Sequence, residues 1–205
     1  MNKHLKIAAA LLVALPTLTF AQVRTEQTFE KGWKFTREDS KDFSQQTYDD
    51  TKWQSVTVPH DWAIYGPFSI ENDKQKVAIT QDGQKEALEH AGRTGGLPFV
   101  GVGWYRLNFE APAFSSGKKA TLIFDGAMSH ARVYINGQEA GFWPYGYNSF
   151  HIDATPYLKA GEQNTLAVRL ENETESSRWY PGAGLYRNVH LVINAVSYTH
   201  LTLPT

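Results

Sequence analysis

The sequence predicts an all-β protein, built as an antiparallel sandwich or jelly roll. Apolar and polar residues alternate over short segments, which is the period of strands that bury one face. Clusters of Gly, Pro, Asn and Asp separate these segments, and no convincing amphipathic helix exceeds a dozen residues. Short strands repeated with turns between them are typical of sandwiches and jelly rolls.

The strands are predicted one by one from this alternation. Asn136-Gly137 lies between two alternating runs and predicts a tight hairpin. The segment 77–88 predicts a short strand or a helical turn, and 153–158 a helical turn or tight crossover. The charged segment 36–50 predicts an exposed connection, and 141–147 a loop rich in Gly and aromatic residues. The predicted strands are 22–35 (an entry strand around Gly32), 53–58, 103–109, 120–124, 131–135, 150–152, 165–170 and 189–193.

Length and composition restrict the class of protein. The 205 residues are enough for one sizeable core in one domain. A formal net charge of −1 gives no reason to expect nucleic acid or an anionic membrane as a partner. The chain has no cysteine, which excludes disulfides, thiolate catalysis and cysteine-based metal sites. It also lacks the glycine patterns of dinucleotide and P-loop phosphate sites.

The first 21 residues have the pattern of a secretory signal peptide. Lys3 and Lys6 precede an apolar run at 7–15, and Thr19-Phe20-Ala21 places small residues at the −3 and −1 positions of a cleavage site. The apolar run is too short for a membrane-spanning helix. We therefore expect residues 1–21 to be removed and the protein to be exported to the periplasm or outside the cell, without a membrane span.

The last ten residues, 196–205, read like the translation of a transposon-end adaptor used to prepare sequencing libraries. The hypothesis is that the gene was cut at the edge of an assembled fragment and continues into adaptor sequence. The alternative is a natural tail. The predicted division is therefore a signal peptide at 1–21, one domain at 22–195 and a non-native tail at 196–205.

One loop near the end of the domain, 178–189, combines aromatic residues, arginines and glycines. Pro181 fixes its φ, while Gly182 and Gly184 permit positive φ, so the segment is predicted to be a tight loop leading into a strand. Flat aromatic faces and the planar donors of Arg suit the C–H faces and hydroxyls of a sugar. The alternative is that these aromatics cap the core of the β-domain.

Six segments together resemble the N-terminal sugar-binding domain of glycoside hydrolase family 2, which includes β-galactosidases, β-glucuronidases and β-mannosidases. They occur in the family's order and cover most of residues 27–193. The segments are Val58-Pro59-His60-Asp61-Trp62, Gly103-Trp104-Tyr105-Arg106, Phe124-Asp125-Gly126-Ala127, Val133-Tyr134-Ile135-Asn136-Gly137, Gly146-Tyr147-Asn148-Ser149-Phe150 and the 178–189 loop through Arg187-Asn188-Val189.

The resemblance implies a jelly roll of the galactose-binding-domain type. In the family, an immunoglobulin-like domain and then a TIM barrel follow, and the barrel carries the two catalytic glutamates of a retaining mechanism. We expect no catalytic residue in this chain. Glu171, Glu173 and Glu175 lie at a polar strand end and are predicted to be solvated.

The resemblance also implies the binding residues. His60-Asp61-Trp62 and Arg178-Trp179-Tyr180 match loops that, in the family, help shape the subsite for the non-reducing sugar. Asp61 would accept hydrogen bonds from paired hydroxyls, and Arg178 would donate to sugar oxygens. The alternative roles are structural: Asp61 pairs with an arginine or caps a turn, and Trp62 and Trp179 fill the core.

No cofactor or metal ion is predicted. Some β-galactosidases of the family place an aspartate, which binds sugar and sodium, about where Arg178 falls, so that site is not carried over. The remaining histidines lack metal-ligand spacing, and the sequon Asn172-Glu173-Thr174 is attributed to chance because the export signal looks bacterial.

Three functions remain open on the sequence. The first is the truncated front of an exported exo-β-glycosidase, a β-galactosidase above all, that acts on a galactoside or a β-linked oligosaccharide. The second is a stand-alone carbohydrate-binding module without catalysis. The third is an interaction domain whose aromatic loops are purely structural. The reading frame downstream discriminates the first two, and titration with galactosides tests the third.

Overall fold

The protein is a β-sandwich, as the alternation of its sequence predicts. The computed structural model describes residues 24–69, 71–72, 74–91, 99–174, 176–177 and 179–195. These residues form a four-stranded sheet packed on a six-stranded sheet, with a separate two-stranded hairpin. The predicted signal peptide at 1–21 and the predicted tail at 196–205 lie outside the described residues and stay predictions.

All strand pairings in the described residues are antiparallel. In spatial order, the four-stranded sheet contains β1 (Arg24–Thr28), β12 (Val189–Ala195), β7 (Lys118–Phe124) and β10 (Phe150–Asp153). The six-stranded sheet contains β3 (Gln54–Val56), β2 (Trp33–Thr36), β6 (Gly101–Glu110), β11 (Gln163–Asn172), β8 (Ala131–Ile135) and β9 (Gln138–Trp143). The hairpin contains β4 (Lys74–Val77) and β5 (Leu88–Ala91), and short 3-10 turns occupy Lys41–Ser44, Ala63–Tyr65 and Thr80–Asp82.

The main core lies between the two sheets. Alternate residues of each strand point inward, as the buried positions of β7 and β8 show. The predicted hairpin is confirmed: Asn136 and Gly137 join β8 to β9 and both have positive φ, +51° and +86°. Such a turn matches the right-handed twist of the strands that it connects.

The entry segment 22–35 forms two strands instead of the single strand that the sequence suggested. Gly32 adopts a φ of +86° between them, so the chain leaves β1 in the four-stranded sheet and enters β2 in the six-stranded sheet. A Cβ at Gly32 would lie 3.2 Å from the Leu107 side chain. Glycine therefore permits both the turn and the close approach to β6.

The segment 77–88 contains a 3-10 turn, which confirms the helical turn that was one of its two predicted alternatives, and the strands β4 and β5 lie mostly outside it. The segment 141–147 begins as strand, because β9 continues to Trp143. A Cβ at Gly141 would lie 2.5 Å from the Ile152 Cδ1 atom, so a larger residue there would require the Ile152 side chain to shift.

The segment 36–50 is more than an exposed connection. It folds over the outer face of the six-stranded sheet and buries Phe43 in a second apolar cluster with Trp53, Trp104 and Ala167. Arg106 lies under the same segment, and its guanidinium is almost fully buried. The prediction of an exposed connection is therefore partly wrong, because apolar residues of this segment, such as Phe43, pack on the sheet.

Three connections meet at one end of the sandwich, which we call the loop end. They are the segments after β3, between β9 and β10, and between β11 and β12, and contacts between them are described below. Strand β12 begins at Val189, directly after the third of these connections, so it runs away from the loop end toward Ala195.

Candidate functional site

The carboxylate of Asp61 joins two of the segments at the loop end. Its Oδ1 atom accepts hydrogen bonds from the main-chain N–H groups of Ala63 and Ala183, each at 3.0 Å, and its Oδ2 atom accepts the Tyr180 hydroxyl at 2.8 Å. Burial and the nearby Asp61 carboxylate raise the pKa of Tyr180, so its hydroxyl stays protonated and donates. Asp61 caps its own turn and at the same time positions the loop before β12.

Gly184 allows that loop to approach the segment after β3. It adopts a φ of +98°, and a Cβ there would lie 2.6 Å from the His60 carbonyl oxygen. Gly182 also has a positive φ, and its Cβ would lie 3.1 Å from the Asp61 Oδ2 atom. The two glycines predicted to shape the loop are therefore needed for conformation and for space.

Trp62 lies fully inside the core, below these two segments. Its ring stacks on Phe35 with centroids 5.5 Å apart, and a Cβ at Gly103 would lie 2.6 Å from its Cζ3 atom. The indole N–H has no hydrogen-bond partner among the described residues. Trp62 therefore fills the core beneath the loop end and packs against its loops.

His60 is half-buried between the core and the surface. Its Nδ1 atom lies 2.7 Å from the Tyr105 hydroxyl, and its main-chain N–H donates to the Leu185 carbonyl at 2.7 Å. Burial lowers the pKa of His60; the Arg37 guanidinium adds to this effect and the Asp61 carboxylate opposes it. The imidazole is therefore held neutral beside Tyr105, whose own pKa burial raises.

The lowered pKa of His60 predicts a pH dependence of stability. The folded protein binds this proton less readily than the unfolded chain, so the stabilisation is present above the unfolded pKa of about 6.5. It is lost as the pH falls toward the folded pKa. Between about pH 7.5 and about pH 5 we expect the melting temperature to fall less in His60→Gln than in the unmodified protein. His151→Gln, at an exposed position of β10, is the control, and equal slopes for His60→Gln and the unmodified protein would contradict the assignment.

Trp179 presents its ring to solvent and lies apart from the Asp61 contacts. The side chain is 57% exposed, and its indole N–H donates to the Tyr147 hydroxyl at 2.9 Å. Tyr145 packs against Tyr147 with ring centroids 5.4 Å apart. The loop between β9 and β10 therefore places two exposed tyrosine rings beside Trp179.

The structure brings some of the predicted site residues together and separates others. His60, Asp61 and Tyr180 are adjacent, Trp62 is buried beneath them, and Trp179 is on the surface next to Tyr147. Arg178 lies outside the described residues. Tyr145 and Tyr147 were missed as site candidates, although the aromatic run 141–147 and the resemblance segment at 146–150 already contained the signal.

Of the three glutamates that the sequence predicts to be solvated, Glu171 has a structural partner and Glu175 lies outside the described residues. Glu171 accepts a hydrogen bond from Arg169 at 2.8 Å, and Arg169 also pairs with Asp39 at 2.8 Å. In the described part of the chain, no group of three or more His, Cys, Asp or Glu side chains is placed to hold a metal ion. None of the described helices is long and apolar enough to cross a bilayer.

Known proteins resemble this chain over most of its described length. The family profile described as glycosyl hydrolases family 2, sugar binding domain, matches residues 27–194. A β-galactosidase of Bacteroides ovatus is 40% identical over 88% of this chain and 19% of its own length. A β-glucuronidase of Formosa agariphila is 30% identical over 88% of this chain and 18% of its own length.

A solved structure has the same fold. A glycosyl hydrolase family 2 member from Bacteroides cellulosilyticus superposes with a TM-score of 0.69 and 34% identity, over 82% of this chain and 20% of that one. The chain thus spans about a fifth of the length of the relatives that it matches. Together the profile, the relatives and the superposition show that this chain belongs to glycosyl hydrolase family 2 and carries the sugar-binding domain of that family.

Proposed function

We propose that the chain is the sugar-binding front domain of an exported, retaining exo-β-glycosidase, with a β-galactosidase as the favoured activity. Its catalytic glutamates would lie in a TIM barrel encoded downstream, after an immunoglobulin-like domain. The domain itself would hold the terminal sugar and carry out no chemistry. Export rests on the signal-peptide pattern of residues 1–21.

The observation that carries this proposal is the contact between the two predicted loops at Asp61. The Asp61 carboxylate ties Ala183 and Tyr180 to the segment after β3, although these residues are far apart in sequence. Such a contact holds the Trp179-Tyr180 segment in one position. A binding wall that is fixed before the ligand arrives loses less conformational entropy on binding.

The side chains then divide into two roles. Trp179 would contact the terminal sugar through its exposed ring, and Arg178 would donate hydrogen bonds to sugar oxygens. Asp61, His60 and Trp62 would act as positioning residues, since their side chains face other parts of the chain.

The choice of sugar rests on the relatives. The 40% identical relative is named a β-galactosidase and the 30% identical one a β-glucuronidase. A further relative, named a putative β-glucuronidase, is 38% identical over 94% of this chain, so identity does not separate the two sugars. We propose a β-galactoside first and a β-glucuronide as the second candidate. The deciding contacts would lie largely in the downstream barrel.

The test is to recover the continuing reading frame and express the complete protein. We expect it to hydrolyse nitrophenyl β-galactoside with retention and to act more slowly on the β-glucuronide. The 205-residue chain alone is expected to be inactive. A stop codon directly after the domain, or turnover by the clean 205-residue chain, would contradict the proposal.

Asp61→Asn is expected to weaken both folding and sugar binding. An amide keeps one neutral acceptor oxygen and replaces the other with an NH2 donor. All three donors therefore lose a charged acceptor, and either the Tyr180 hydroxyl or the two N–H groups lose their acceptor altogether. We expect the free energy of unfolding to fall by about 1.5–3 kcal/mol and the KM of the complete enzyme to rise.

The matched control for Asp61→Asn is Asp153→Asn. Asp153 also caps a turn, accepting the Thr155 N–H at 3.1 Å, but it joins no second loop and lies away from the loop end. This variant should leave KM unchanged. A KM equally raised by both substitutions would remove Asp61 from the proposed site.

A further inference from the structure

Three aromatic rings form a continuous exposed surface at the loop end. Trp179, Tyr147 and Tyr145 are 57%, 41% and 55% exposed, and they belong to two different connections. Successive ring centroids lie 6.3 Å and 5.4 Å apart. We call this surface the aromatic platform. Amphipathic rings that remain exposed side by side are typical of binding surfaces.

Hydrogen bonds and packing contacts hold the aromatic platform in place and leave the exposed ring faces free for a ligand. The Trp179 indole donates to the Tyr147 hydroxyl, which links the two connections. Below the platform, the Tyr186 hydroxyl donates to the Gly146 carbonyl at 2.6 Å. A Cβ at Gly146 would lie 2.8 Å from the Met128 Cε atom, so the loop sits directly on that side chain. The rings are therefore ordered before a ligand binds.

A polar group borders the rings in the same loop. The Trp143 indole donates to the Asn148 Oδ1 atom at 3.0 Å, which orients the exposed carboxamide. With its oxygen engaged, the Asn148 amide nitrogen retains donors for a ligand. Flat rings with a fixed amide beside them match the C–H faces and hydroxyls of a pyranose.

From this geometry we propose that the aromatic platform binds a second sugar unit, adjacent to the terminal one, of a β-linked oligosaccharide. The inference rests on the proposed function, because Trp179 would belong to both subsites. The Trp179 and Tyr147 centroids lie 6.3 Å apart, which would let two adjacent sugar units contact them in turn. The Tyr145 and Tyr147 rings are inclined by 57° to each other, so one would stack on the face of the second sugar ring and the other would contact its edge, while Asn148 would bind its hydroxyls.

The chemistry of the platform favours a sugar over an apolar protein surface. Its three side chains all carry a polar edge, and that of Trp179 is already engaged with Tyr147. The exposed aliphatic residues of this end, Ile64, Val77 and Leu88, belong to other segments, the turn after β3 and the β4–β5 hairpin. A purely apolar partner would be expected to use those segments.

The experiment titrates the 205-residue chain with methyl β-galactoside and with β-linked galacto-oligosaccharides of increasing length, by isothermal titration calorimetry. We expect the oligosaccharides to bind about tenfold more tightly than the monosaccharide. Tyr145→Ala should remove this gain and leave monosaccharide binding intact, whereas Tyr147→Ala should remove the gain and also weaken monosaccharide binding, because its hydroxyl holds the Trp179 indole. Phe68→Ala, at an exposed ring of another segment, should keep the gain.

The length dependence is measured on the unmodified chain, so it does not depend on any variant folding. Equal affinity for all lengths, or a gain that survives both tyrosine substitutions, would overturn the inference and leave the proposed function in place. Absence of binding at every length would also overturn it. The proposed function would then be decided separately, by hydrolysis with the complete protein.

Discussion

Replacing Arg106 with methionine is expected to lower the free energy of unfolding by about 3–5 kcal/mol. The Arg106 side chain is 1% exposed, and its Nε atom donates to the Asp50 carboxylate at 2.8 Å. Its other nitrogens donate to three carbonyls in the 41–50 segment, including that of Gln45 at 3.0 Å. Methionine fills the space but leaves Asp50 and these carbonyls without their donor. Urea unfolding of both proteins measures the difference.

The control for this prediction is Arg24→Met. Arg24 also pairs with a carboxylate, that of Glu26 at 2.7 Å, but both side chains are exposed. Exposed pairs contribute about 0–1 kcal/mol, so this substitution should change stability little. Similar losses for the two variants would mean that the buried contacts of Arg106 add nothing beyond an ordinary surface pair.

Gly184→Ala is the second substitution with a large expected effect. A non-glycine residue at a φ of +98° is strained, which costs about 1–3 kcal/mol. The added Cβ would also press on the His60 carbonyl and the Tyr105 hydroxyl, both fixed in the core, at a similar further cost of about 1–3 kcal/mol. We expect a lower melting temperature and, in the complete protein, weaker sugar binding because the Trp179 segment shifts.

Gly83→Ala separates the two causes. Gly83 has a φ of +77° in the turn between β4 and β5, but no atom lies within 4 Å of its added Cβ. The loss of stability in Gly83→Ala therefore measures the cost of placing a non-glycine residue at positive φ, without a steric clash. If Gly184→Ala were no more destabilising than Gly83→Ala, the close approach of the two loops at the site would not be under steric pressure.

Much of the fold was predictable because its signals are local. The alternation of 131–135 and the Asn136-Gly137 turn lie next to each other in sequence, and the structure has them as β8 and its hairpin. The segments that resemble glycoside hydrolase family 2 occur in the family's order, and they predicted a jelly roll in particular. The break at Gly32 was harder to predict, because it depends on which sheet each half of the segment joins.

The site was less predictable because its contacts are not local. Trp62 and Trp179 both follow a charged residue in a loop, yet one is fully buried and the other is largely exposed. What separates them is space: Gly103 and Gly184 approach the six-membered ring of Trp62, and both belong to other segments. Tyr147 reaches Trp179 from another connection, so no spacing in the sequence shows the pair.

The direction of β12 restricts how the candidate site is completed. This strand starts beside the loop end and, with seven residues at about 3.3 Å each, carries the chain roughly 23 Å away from it. A segment joined directly after Ala195 would therefore begin on the far side of the sandwich. On the proposed function, a catalytic wall supplied by the same polypeptide would have to come back to the loop end, and the intervening sequence would need enough length to span this distance. Shortening this intervening sequence should prevent the catalytic wall from reaching the loop end, although the residues of both would be unchanged.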